Sequence, residues 1–204
     1  MFRLASGVRR SVVIGEQART SPPKKRADAQ RNEQVLLDAA AAAFVRSGVG
    51  VPVRTIAAEA GVGVGTIYRH FPTRADLIAA VYRHQVEACA AAGPVLLAES
   101  DSPYPALARW VDLFVDFLVT KHGLAEAMNS GGAAYENLHA SFLDRLLPVV
   151  AELIGAAVEA GEIAEIGALE LLFGIGNLCA GAGKVDGYDA RRMVGFLIDG
   201  LGVR

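Results

Sequence analysis

From Gly65 to Phe71 the chain reads Gly-Thr-Ile-Tyr-Arg-His-Phe, which puts four hydrogen-bonding side chains within five positions. Thr66 offers a hydroxyl and a methyl, a match for a phosphate oxygen or a thymine methyl. Arg69 can fork onto a base edge or a phosphate, and Tyr68 and His70 can each donate to a phosphate. Gly65 has no side chain, so the backbone there can come close to a partner. Taken singly, Tyr68 and His70 are as much at home capping a core, and Arg69 in solvent. Together and in this spacing they point to the sugar-phosphate backbone and base edges of double-stranded DNA.

Other chemistries find less support. The four histidines are dispersed, with no His-x-x-x-His pair, so no metal site is expected. Gly174-Ile175-Gly176 and Gly181-Ala182-Gly183 sit inside a helical pattern, which argues against a phosphate-cradling loop, and no cofactor is expected. Cys89 and Cys179 stand far apart without a Cys-x-x-Cys pair, in keeping with reduced, buried thiols. An enzyme is therefore the rival that the residues favour least.

The polar string needs elements to hold it. Apolar residues recur at helical spacing from Asn32 to Ser47 (Val35, Leu36, Ala39, Ala40, Ala43, Phe44), and Gly48 and Gly50 end that helix. A short helix is expected over Arg54–Ala60, a tight turn at Gly61-Val62-Gly63, and a second short helix over Val64–Phe71, broken by Pro72. Ile56, Ala60, Val62 and Ile67 would form the contact between the two. Thr73 is a good N-cap, with Asp76 completing a variant capping box for a helix over Arg74–Ala92. Two short helices joined by a glycine turn make a helix-turn-helix.

The rest of the chain is helical too. Helices are expected over Tyr104–Lys121, Leu124–Asn129, Ala134–Ala160 (with Pro148 inside), Gly167–Ala182 and Asp189–Leu201, with a loop from Gly93-Pro94 to Ser102-Pro103. No segment alternates convincingly as a strand. The fold class is all-α, with about nine helices. Residues 1–28, with Pro22-Pro23 beside Lys24-Lys25-Arg26, read as a disordered basic leader. Residues 29–74 read as the helix-turn-helix domain, 74–92 as the linking helix, and 93–204 as a second domain.

Charge follows the same division. Residues 1–31 carry eight Lys/Arg against two Asp/Glu, 32–89 five of each, and 90–204 seven against fifteen. The front of the chain is drawn to a polyanion and the back is repelled by one. No apolar run approaches the roughly 18 residues of a membrane span, and no secretory signal is evident, so a cytoplasmic protein without membrane contact is expected.

The string from Arg54 to Leu77, Arg-Thr-Ile-Ala-Ala-Glu-Ala-Gly-Val-Gly-Val-Gly-Thr-Ile-Tyr-Arg-His-Phe-Pro-Thr-Arg-Ala-Asp-Leu, resembles the DNA-binding region of the TetR family of bacterial repressors. The resemblance covers roughly residues 32–85. It departs at Gly63, where the family often has Ser, and at Arg74, where Lys is common. It implies that Arg54 and Thr55, opening the first motif helix, meet DNA, with Thr55 binding phosphate through its hydroxyl and backbone N–H. Gly65, Thr66 and Arg69 would face bases, Tyr68 and His70 would grip the backbone, and Arg74 would hold a flanking phosphate. Lys24, Lys25, Arg26 and Arg31 would track the backbone or enter the minor groove, unless the leader only solvates the chain.

The resemblance also implies a helical ligand-binding and dimerisation domain beyond about residue 90. The last two helices are apolar enough for a two-fold, four-helix interface in a homodimer on a palindromic operator, through Leu172, Ile175, Cys179, Phe196, Leu197 and Leu201. They suit an internal core hairpin as well. A pocket for a small-molecule effector would draw on Trp110, Phe114, Phe117, Met128, Tyr135, His139 and Phe142, large aromatics with a few polar tips. Each of these is equally an ordinary core residue. The expectation is a repressor released by its ligand; the alternatives are an activator, or a DNA-binding protein of the same fold with no effector.

Overall fold

The computed structural model describes residues 23–127, 133–182 and 185–203, with side chains for 31–118, 121, 141–182 and 185–203. Eight helices run through them: α1 (Pro23–Ser47), α2 (Val53–Glu59), α3 (Val64–His70), α4 (Arg74–Glu99), α5 (Pro103–Ala127), α6 (Ala133–Glu159), α7 (Ala168–Cys179) and α8 (Ala190–Asp199). Among the described residues the β pairing is confined to one isolated bridge, Ile163 with Gly202. The all-α expectation holds. No described helix is long and apolar enough to cross a membrane.

Two expected breaks are absent; the loss of the first lengthens α4, and the loss of the second merges two expected helices and brings the count from about nine to eight. α4 continues through Gly93-Pro94 to Glu99. A Cβ on Gly93 would lie 2.3 Å from Val149 Cγ1, so glycine lets α4 seat directly on α6. That packing overrides the breaking tendency of the pair. α5 likewise runs on past Lys121 and absorbs the piece expected from Leu124.

α1 begins at Pro23 and takes in residues 23–28, which the composition assigned to a disordered leader. Proline is disfavoured inside a helix but favoured at its first position, where its missing N–H is not needed and its φ is already helical. Lys24, Lys25 and Arg26 therefore sit on the first turns of α1; their side chains, and residues 1–22, lie outside the described residues.

One apolar core runs from Leu36 on α1 to Ile198 on α8. α4 packs against α1, α5 and α6, and α5 against α4, α6, α7 and α8. The stripe expected on α5 (Leu107, Trp110, Val111, Phe114, Leu118) is buried throughout, with Asp112 exposed and Asp116 half-buried on the far side. Polar contacts tie the helices at the surface: Asp38 of α1 to the His84 ring of α4 at 2.6 Å, and an ion pair from Glu87 of α4 to Arg145 of α6 at 2.7 Å. At the other end the Tyr104 N–H donates to Glu162 at 2.6 Å, and the Ala164 N–H to the Leu201 carbonyl at 2.8 Å. These two bonds clasp the start of α5, the α6–α7 link and the end of α8.

Candidate functional site

The turn between α2 and α3 is built by the backbone. Gly61 sits at φ +67°, where an L side chain is strained. Its N–H donates to the Ala58 carbonyl at 3.3 Å, and the Val62 N–H to the Ala57 carbonyl at 2.9 Å. This pair of bonds is the Schellman ending of a helix. Ile56 and Ile67 are buried where the two helices meet, and Ala60 and Val62 pack half-buried against them, as the spacing predicts. The Phe71 N–H closes α3 on the Ile67 carbonyl at 2.8 Å, and the buried ring fixes the exit. The capping box at α4 is complete: the Thr73 hydroxyl accepts from the Asp76 N–H, and Asp76 accepts from the Thr73 N–H at 3.0 Å.

With Ile67 anchoring one side, α3 turns Gly65, Tyr68, Arg69 and His70 to solvent, and Tyr68 is 48 % exposed. Thr66 is half-buried beside them. Arg69 lies folded along its own helix, donating to the Gly65 carbonyl at 3.1 Å and to the Thr66 hydroxyl at 3.2 Å. Both bonds are solvent-exposed, so releasing the guanidinium to an outside acceptor costs little. On α2, Arg54 is exposed and Thr55 half-buried, its N–H donating to the Pro52 carbonyl at 2.9 Å.

Arg74, expected at a flanking phosphate, has partners within the chain. Its guanidinium is half-buried and donates to the carbonyls of Val49 and Val51, the latter at 2.6 Å. The loop from α1 to α2 leaves these two carbonyls without helical partners, and Arg74 satisfies them. The side chain therefore braces the helix-turn-helix from behind.

Of the residues expected around an effector, Trp110, Phe114, Phe117 and Phe142 come together as a buried ladder. Ring centroids are 5.5 Å apart from Trp110 to Phe114, 5.7 Å to Phe117 and 5.8 Å on to Phe142. Trp110 is a satisfied core residue, its indole N–H donating to the Cys89 carbonyl at 2.8 Å. Met128 lies outside the described residues, as do the side chains of Tyr135 and His139 on α6.

The far end of the ladder opens into a cavity of about 300 Å³ between α5, α6 and α7. Phe114, Leu118, Phe142, Leu143, Leu172 and Phe173 form its apolar wall, Gly176 and Ala180 carry it onto the outward side of α7, and Lys121 and Asn177 supply its polar groups. Neither polar residue was singled out from the sequence. The available signal was that Lys121 is the one Lys or Arg between Trp110 and Asp144. Burial holds its ammonium below the usual lysine pKa. A second, more open hollow of about 350 Å³ lies where α1 meets α4 and α5; among the described residues the buried Oε1 of Gln85 there has no partner.

The expected dimer residues divide. Leu172, Ile175 and Cys179 are buried in the protomer's own core, so they are unavailable to a second copy. Leu197 and Leu201 are half-buried. Phe196 is 56 % exposed, and it is joined by Leu169 (49 %), Phe173 (53 %) and Met193 (39 %). The outward face of α7 is therefore 169–173–176–180, one helical step round from the 172–175–179 face. Apolar density alone did not say which side of α7 faced the core. Burial of the Cys89 thiol, with a smaller contribution from Asp116, pushes its pKa up to about 12.

Comparison with known proteins agrees with this architecture. Residues 36–81 match the family model for bacterial regulatory proteins of the tetR family, and residues 102–203 match the SbtR-like transcriptional regulator C-terminal domain. An HTH-type transcriptional regulator of Staphylococcus aureus is 25 % identical over 122 residues, which is 59 % of this chain and, at 66 %, just under two thirds of that protein's length. A TetR transcriptional regulator of Streptomyces coelicolor is 33 % identical, covering 84 % of this chain and 98 % of its own, with a TM-score of 0.66. A TetR transcription regulatory protein of Mycobacterium vanbaalenii is also 33 % identical, covering 88 % and 99 %, with a TM-score of 0.62. The chain belongs to the TetR family of DNA-binding transcriptional regulators.

Proposed function

We propose that this chain is a homodimeric repressor that holds a palindromic operator through α3 and leaves it when a small ligand enters the cavity between α5, α6 and α7. The observation that carries the reading is the outward set Gly65, Tyr68, Arg69 and His70 on a helix pinned by Ile67. Gly65, Thr66 and Arg69 would face base edges, while Tyr68, His70, Arg54 and Thr55 would meet phosphates. Arg74 would contribute by holding the α1–α2 loop, with Lys24, Lys25 and Arg26 extending the basic surface along α1. Two copies would join through Leu169, Phe173, Met193 and Phe196, an exposed apolar face that suits a two-fold contact. The cavity favours a ligand-responsive protein over an effector-free one, for which a filled core is expected.

The test begins with the operator, found by footprinting the purified protein on genomic DNA, followed by titration of that DNA. Affinity should fall with salt at a slope of about −0.9 per phosphate contact. Phe196→Asp should shift the protein to monomer in sedimentation and weaken operator binding at least tenfold. A flat salt profile, or a variant that stays dimeric, counts against the corresponding half of the proposal. A ligand that saturates the cavity yet leaves operator affinity unchanged removes the switch.

A further inference from the structure

We infer that the cavity between α5, α6 and α7 takes a short amphiphilic acid, with its hydrocarbon body against the Phe114–Phe142 wall and its carboxylate on Lys121. This rests on the proposed reading of the cavity as the effector site and supplies the chemical class of the effector. Three observations support it.

The first is the isolation of the charge. Lys121 lines a space walled mainly by apolar residues, among them Phe114, Leu118, Phe142, Leu172 and Phe173, and its Nζ stands 4.6 Å above the Phe142 ring centroid. Among the described residues it makes no ion pair. The α5 carboxylates Asp112 and Asp116 are engaged by Arg191 of α8 instead. An ammonium in apolar surroundings is costly to leave without a counter-charge, and one ring face meets only part of that need. The ammonium retains donors for an anion, and a charge-assisted bond in a partly desolvated site is stronger than a neutral one.

The second is size. About 300 Å³ is at the low end of small-molecule sites, which run from roughly 300 to 1,000 Å³. A short chain or a single ring with one acid group suits it. The third is polarity: Asn177, exposed on α7, is the other polar group of the lining, so its amide can add a donor beside the ammonium. A cationic ligand would meet like charge, and a neutral one would leave the ammonium unpaired.

Trp110 is the sole tryptophan and stacks on Phe114 of the cavity wall, so its fluorescence reads occupancy without any DNA present. The probes are octanoate, 1-octanol and octylammonium, titrated into the full-length protein at neutral pH. Octanoate should saturate the signal and bind at least tenfold tighter than octanol, with octylammonium the weakest. Lys121→Met should bring octanoate and octanol together while octanol affinity holds, and Lys121→Arg should keep the acid preference; thermal melts of both variants verify folding. Equal affinities for acid and alcohol, a preference for the amine, no binding of any probe, or an acid preference that survives in Lys121→Met each overturn the inference. Saturable octanoate binding that does not alter operator affinity leaves the ligand class standing and removes only the switch.

Discussion

The head of the molecule (α1 to α3) and the body (α5 to α8) use the same kind of helix for opposite purposes. In the head, α3 has a single fully buried side chain, Ile67, and presents nearly everything else to solvent. In the body, the central helix α5 buries its largest residues, Trp110, Phe114 and Phe117, and the candidate site is a space beside Phe114 at one end of that row. A surface that reads DNA has to be exposed, thin and held from behind, which short-range devices can achieve: the Gly61 turn, the Thr73–Asp76 box and the Arg74 brace. A cavity is a property of three helices at once. Stability and recognition therefore fall on different residues in the two regions, and substitutions should separate them.

The largest expected effect is in the body. Trp110→Ala removes a fully buried ring from the ladder and leaves the Cys89 carbonyl without its donor, and should cost about 3–5 kcal/mol by urea denaturation. At temperatures where the variant stays folded, its preference among operator sequences should not change; a shift in base preference would break the separation. Next is Arg69→Ala, exposed and, among the described residues, bonded within α3 alone. It should leave the melting temperature within about 2 °C, since surface changes stay within roughly 0.5 kcal/mol. Operator affinity should drop by about 1–3 kcal/mol with relaxed specificity at one base position, read by competition with single-base variants. A uniform loss across sequences would reassign Arg69 to phosphate.

The smallest effect is at the joint. Gly61→Ala places a Cβ at φ +67° in open space, so the cost is backbone strain alone, about 1 kcal/mol. It should appear as faster amide exchange in α2 and α3 with the body unchanged. Equal loss of protection in α5 would mean that the two regions unfold as one.

This division also explains what the sequence could disclose. The stretch from α2 to the start of α4 was legible nearly to the residue because its determinants are local: Gly61 four positions before Gly65, Thr73 three before Asp76, Pro72 closing α3. The bracing role of Arg74 was not legible because its partners, the Val49 and Val51 carbonyls, are more than twenty positions away. In the body, the stripe on α5 was legible as periodicity, whereas α7 is apolar on two sides and periodicity could not say which side faced inward. Leu172, Ile175 and Cys179 follow from contact with α5 and α6, and Leu169 and Phe173 are what remains. Gly93-Pro94 reads as a stop until Val149 is known to lie against it.

That last contact also has a mechanical consequence. With Gly93 seated on Val149, α4 has a fulcrum, and about 28 Å of stiff rod separates it from Arg74 at 1.5 Å per residue. A rotation of about 5° about that point carries the Arg74 end through about 2.5 Å, whereas N–H···O hydrogen bonds vary in length by only about 0.5 Å. The geometry multiplies small angles at the α4–α6 contact into displacements as large as the bonds that α2 and α3 would make.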